Sequence, residues 1–106
     1  MQNIQTPQEL KNRLDQKNPG DVLLDVRTPE EFEAGHIAGS TNFNISSPDF
    51  IDKIQQLDKA KNYILYCRSG GRSQMAAMIM AQNGLKTVYS KQGITDWQTA
   101  GFEVVK

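Results

Sequence analysis

Two short apolar runs, Val22-Leu23-Leu24-Asp25-Val26 and Asn62-Tyr63-Ile64-Leu65-Tyr66, are continuous rather than alternating, and turn or helix signals bound each of them. A strand without polar alternation has no face to give to water, so it belongs in a sheet covered on both sides. The intervening segments supply the covers. Thr6-Pro7-Gln8-Glu9 and Thr28-Pro29-Glu30-Glu31 each read as a capping box with proline at the first helical position. Leu10 and Leu14 continue the first with helical spacing, and Gly35 stops the second. Thr41–Asn44 reads as a short strand, and Ser47-Pro48 opens a third helix with Phe50, Ile51, Ile54 and Leu57 on one face. A helix from about Ser73 to Gln82 closes on Asn83-Gly84, then come a strand at Thr87–Tyr89 and a helix at Ile94–Thr99. This order predicts an α/β fold: a mainly parallel sheet of about five strands with helices on both faces. Ligands of such sheets lie beyond the carboxyl ends of the strands. Asp25 with Arg27, Cys67, and the loop Ser90-Lys91-Gln92-Gly93 all fall at those ends and are expected on one face.

The 106 residues fit one domain with one core, 1–106. Twelve basic and twelve acidic side chains balance and are spread along the chain, so no basic stripe points to nucleic acid or to a membrane surface. The first residues show neither the charged nor the apolar region of a secretory signal, and the longest apolar run, Met75 to Ala81, is far too short for a bilayer. One cysteine closes no internal disulfide, and with a single histidine it makes a zinc site improbable. The expectation is a soluble cytoplasmic domain without metal or organic cofactor.

That one cysteine opens Cys67-Arg68-Ser69-Gly70-Gly71-Arg72-Ser73, between the second apolar run and a helix. A strand-to-helix turn rich in glycine aims backbone N–H groups and the positive end of a helix dipole at one point. A free thiol with pKa ~8.5 is only about 3% thiolate at pH 7. Loop amides, the helix N-terminus and the cations Arg68 and Arg72 are expected to lower that pKa and to hold an anion. Gly70 and Gly71 are expected to supply positive φ and close backbone approach. Ser73 is expected to cap the helix and to meet the bound anion, as is Ser69 through the loop. Two chemistries use such a seat: attack on phosphorus and attack on a sulfane sulfur.

The run Cys67-Arg68-Ser69-Gly70-Gly71-Arg72 resembles the active loop of the rhodanese family, Cys-Arg-x-Gly-x-Arg in many single-domain members. Cysteine-type phosphatases place the arginine one residue later. Three further stretches are similar to the family in the same order: Asp25-Val26-Arg27 with Glu31 and Phe32, Gly35-His36-Ile37-Ala38-Gly39-Ser40 with Asn42, and Gly93-Ile94-Thr95-Asp96-Trp97 with Gly101. The chain departs from the usual pattern at Ala38, often proline, and at Gln92, often glycine. The resemblance covers Thr6 to Val104 and implies a rhodanese-like fold with that core.

It also implies a sulfurtransferase. Cys67 would take a sulfane sulfur from thiosulfate or a similar small donor as a persulfide, and yield it to cyanide, a thiol or a sulfur-carrier protein. The alternatives are a persulfide carrier or docking module without its own turnover, and a phosphatase or arsenate reductase, which the short loop and the missing second cysteine disfavour. Arg72 is the expected anion contact, while Arg68 either joins it or points to solvent and tunes the field. Asp25, Arg27 and Glu31 are expected to brace the strand end as arginine–carboxylate contacts rather than act as an acid pair. His36 falls in a loop that the family resemblance makes structural. Trp97 and Ile94 are expected in the core, as are Met75, Met78 and Met80 on the central helix.

Overall fold

The computed structural model describes residues 2–106. In chain order the elements are β1 (Gln2–Ile4), α1 (Pro7–Asp15), β2 (Asp21–Asp25), α2 (Pro29–Ala34), β3 (Thr41–Asn42), α3 (Phe50–Gln55), β4 (Asn62–Tyr66), α4 (Gly71–Gln82), β5 (Lys86–Ser90) and α5 (Ile94–Thr99). The five strands form one sheet in the order β1-β5-β4-β2-β3, and every pairing is parallel. β4 is central, with Leu65 opposite Leu24 of β2 and Tyr89 of β5.

The unalternating strands do what their composition requires. Tyr63 and Leu65 face a core layer built with Phe50 and Ile54 of α3 and Ala76, Ala77 and Met80 of α4. Ile64 and Tyr66 face the opposite layer with Leu10 of α1 and Ile94 and Trp97 of α5. Because side chains alternate along β4, the next residue, Cys67, falls on the α3–α4 side.

Local chemistry sets the helix ends. Thr28 and Glu31 form a full capping box at α2. At α1, Thr6 Oγ1 accepts the Glu9 N–H, but Glu9 reaches back to the Gln5 N–H instead of that of Thr6. α4 closes in a Schellman motif: Gly84, at φ +84°, donates its N–H to Ala81 O, and Leu85 donates to Met80 O.

Five expectations need correction. β1 exists as an edge strand where none is predicted. α4 starts at Gly71, and its N-cap is Gly70 at φ +109°, not Ser73. α3 starts only at Phe50, because Ser47 spends its hydroxyl on the Asp49 carboxylate and Asp49 makes no side-chain cap bond. With so short a helix, Ile51 turns outward while Phe50 and Ile54 are buried. Met80 is core, but Met75 and Met78 lie on the outer side of α4 and are 55% and 44% exposed.

Candidate active site

Cys67 follows β4 directly, and its side chain is buried, 1% exposed. The loop turns back on the sulfur, so that Gly70 N–H donates to Cys67 Sγ at 3.0 Å. The first intrahelical bond of α4 is given by Gln74 to Gly70 O, so the N–H groups of Gly71, Arg72 and Ser73 precede the ladder. Burial is the largest single influence on the thiol and disfavours its charge. The N–H groups of Ser73, Gly70 and Ser69, with the Ser73 hydroxyl, outweigh it and leave the Cys67 pKa below its ordinary value.

What gives the loop this shape is a clamp from behind. Ile94 and Thr95, in the first turn of α5, donate their N–H groups to the carbonyls of Cys67 (2.9 Å) and Arg68 (3.2 Å). Loop carbonyls are thus drawn toward α5 while loop N–H groups face the sulfur. The approach leaves no room for a Cβ at Gly93, which would sit 2.3 Å from Cys67 O. Gly70 is equally constrained: a Cβ there would lie 2.1 Å from Lys91 O. Gly71 is not, having helical backbone and open space around its Cα. Of the two loop glycines expected to need positive φ, only Gly70 does.

Ser73 is fully buried at the third position of α4. Its hydroxyl has one proton to give and lies within reach of Gly70 O (3.0 Å), Ser90 O (3.2 Å) and the Cys67 sulfur (3.7 Å). It ties the loop to the end of β5 as well as facing the sulfur. Ser69 and Arg68 are exposed.

The expected brace divides into two separate pairs. Asp25 and Arg27 are buried and bound side-on, with Arg27 Nε and Nη2 at 2.9 and 2.6 Å from the two carboxylate oxygens. Arg27 Nη2 also donates to Gly35 O at 2.7 Å, and the guanidinium lies 5.9 Å from the ring centroid of Tyr66, the residue before Cys67. Glu31 does not join them. Its carboxylate takes both terminal nitrogens of Arg72, at 2.6 and 2.9 Å, across 41 positions of sequence. That hydrogen bonding, more than any other influence, holds the Glu31 pKa down to about 2. Glu31 Oε1 also accepts from the Thr28 backbone and hydroxyl, so one carboxylate joins the start of α2 to the active loop. Arg72 spends two of its five N–H donors on Glu31 and keeps three.

His36 is not beside the sulfur's donors. Its ring stacks on Phe32 at 3.8 Å, Nδ1 lies 2.9 Å from Phe32 O, and its backbone pairs with Val105. A cavity of about 540 Å³ opens at the other end of the sheet, lined by Asn62, Leu85, Lys86 and Thr87, away from Cys67. The expected grouping of Glu31 with Arg27 gives way to the pairing with Arg72, and Gly93, expected only as part of a family-like stretch, belongs to the clamp. A glycine just beyond a strand's carboxyl end was the one local signal for the α5 clamp.

A parallel α/β domain that seats one cysteine in a strand-to-helix amide cradle is a definite class of protein. The family model for the rhodanese-like domain matches residues 6–100, and the chain belongs to that family. It is 36% identical over 76 residues to the Bacillus subtilis (strain 168) protein named "Putative sulfurtransferase YtwF", covering 72% of each chain. It is 35% identical over 81 residues to the tRNA uridine(34) hydroxylase of Yersinia pestis (strain Pestoides F), covering 72% of this chain but only 22% of that enzyme. Among solved structures, a rhodanese-related protein from Thermoplasma volcanium superposes with a TM-score of 0.85 at 32% identity, covering 99% of this chain and 98% of the other. No described helix is long and apolar enough to cross a membrane.

Proposed function

We propose that this domain is a sulfurtransferase whose Cys67 carries a sulfane sulfur between a small donor, thiosulfate or one like it, and a thiophilic acceptor. The observation that carries this reading is the buried Cys67 Sγ held by the Gly70 N–H, with its pKa lowered by loop amides. In the first half-reaction the thiolate attacks the outer sulfur of thiosulfate. The S–S bond of the donor breaks and its electron pair leaves with sulfite, giving Cys67–S–S⁻. Arg72, through the N–H donors not given to Glu31, would steady the sulfonate oxygens, and Arg68 would add field from solvent. The terminal persulfide sulfur would then lie among the free N–H groups at the start of α4, which favour its charge. In the second half-reaction cyanide or a thiolate attacks that sulfur and Cys67 departs as thiolate, so the kinetics are ping-pong. Neither step calls for a metal or an organic cofactor. A reducing cytoplasmic setting suits a lone thiol of this kind.

The test is intact mass after incubation with thiosulfate. The expected result is a gain of one sulfur atom that cyanide removes as thiocyanate and that Cys67→Ser never acquires. No gain with thiosulfate, together with Cys67-dependent hydrolysis of para-nitrophenyl phosphate, would overturn the reading.

A further inference from the structure

α4 has twelve residues, the longest helix of the chain, yet only Arg72 among them is charged, and Arg72 is committed to Glu31. Its outer side presents Gly71, Gln74, Met75, Met78, Ala81 and Gln82, all exposed. Met75 and Met78 are two of the four large apolar side chains that the described residues expose. By contrast α1, also at the surface, carries Glu9, Lys11, Arg13 and Asp15. Positions 71, 75, 78 and 82 follow helical spacing, so the methionines form one ridge that starts at the active loop. At 1.5 Å per residue the ridge reaches about 10 Å from Gly71 to Met78, well past anything the size of thiosulfate.

The loop end of this ridge carries two cations without carboxylate partners among the described residues. Arg68 is exposed, and Lys91 is exposed with its carbonyl against Gly70; neither takes part in an ion pair with a described residue. Asp96, in the first turn of α5, is not within ion-pair distance of either. An uncharged thioether ridge leading to two free cations, with a sulfur carrier between them, complements a protein surface that is apolar at one end and acidic at the other.

Resting on the sulfur-transfer reading, we infer that the outer side of α4 with Arg68 and Lys91 docks a protein acceptor whose thiol is flanked by an apolar patch and carboxylates. The acceptor thiol loses its proton to solvent and its thiolate attacks the terminal sulfur of Cys67–S–S⁻. The Cys67 S–S bond breaks, Cys67 recovers its thiolate, and the acceptor becomes a persulfide. No outside oxidant or reductant enters.

The experiment loads the full chain with thiosulfate, removes the excess, and offers two synthetic peptides, one with its cysteine between leucines and glutamates, the other with lysines replacing the glutamates. Sulfur transfer is followed by mass. At low salt the glutamate peptide is expected to accept at least ten-fold faster, with the advantage shrinking as salt is raised. Met75→Glu with Met78→Glu is expected to slow that peptide about ten-fold while leaving release to cyanide unchanged. Lys91→Glu, which leaves Arg68 opposed by a carboxylate, is expected to remove most of the difference between the two peptides, and Met75→Ser with Met78→Ser tests the ridge without added charge. Equal rates for both peptides, or an undiminished rate in both methionine double variants, overturns the docking surface while cyanide release keeps the sulfur-transfer reading intact. Failure to load sulfur at all overturns both.

Discussion

Asp25–Arg27 and Glu31–Arg72 are the same chemical pair in two settings, one beneath the active loop and one beside it. The first has side chains 0% and 6% exposed; the second has 28% and 34%. Burial makes the first a strut: the carboxylate answers an arginine that has no water to turn to, and Arg27 in turn fastens the β2 end to Gly35. The second pair keeps water within reach, so its loss costs the fold little, but it fixes the orientation of a guanidinium at the mouth of the site. Accessibility, not the hydrogen-bond count, separates the two pairs.

The comparison breaks most visibly at Asp25. Asp25→Ala leaves the buried Arg27 charge unanswered, and about 3–5 kcal/mol of stability is expected to go with it. For a domain of this size the melting temperature should fall by more than about 10 °C; a melt within a few degrees of the parent would show that water reaches Arg27. Glu31→Gln is expected to behave oppositely. Glutamine can still complete the capping box with Thr28, and solvent screens the partly exposed pair, so stability should fall by less than at Asp25. Arg72 loses its fixed orientation, and kcat/KM for thiosulfate should drop about ten-fold with turnover of a neutral donor less affected. Glu31 also has a pH signature. Its folded pKa, about 2, lies below its ordinary 4.5. Its contribution to stability is therefore complete above pH 4.5 and fades as pH falls through about 2. Melting curves of the parent and Glu31→Gln should converge across that window; a constant gap would mean the carboxylate is not held ionised by Arg72. The smallest effect is expected at Gly71→Ala, where open space and helical backbone meet the new methyl. Near-parental activity there, beside inactive Gly70→Ala, would show that of the loop's two adjacent glycines only Gly70 sets its shape.

Much of this was legible in the chain. The unalternating runs at β2 and β4 required a covered parallel sheet, and the glycine-rich turn after β4 placed the thiol at a helix start. What stayed hidden depends on distance in sequence or on shortness. β1 has three residues and no period to detect, and only its partner β5 makes it a strand. The choice of Arg72 rather than Arg27 as the partner of Glu31 is decided by how β2 and β4 register, which no local pattern encodes. The outward turn of Met75 and Met78 was missed because α4 is apolar nearly all round, so its composition alone did not say which side meets the sheet. The α5 clamp acts through backbone N–H groups, which every residue but proline possesses and no side-chain motif advertises.

The wall behind Gly70 is the Lys91 carbonyl, and Lys91 is itself held by its N–H bond to Ile4 O at 2.8 Å, at the end of the β1–β5 pairing. β1 and β5 must therefore pair before the sulfur's surroundings are complete. Such a closure spans nearly the whole polypeptide, whereas each helix forms from neighbours, and long loops close at a greater entropic cost than short ones. During refolding, helical circular dichroism should recover first and the fast alkylation of Cys67 afterwards. A chain in which β1 has yet to join β5 would carry most of its fold and an unready thiol, its reactivity withheld until that edge is in place.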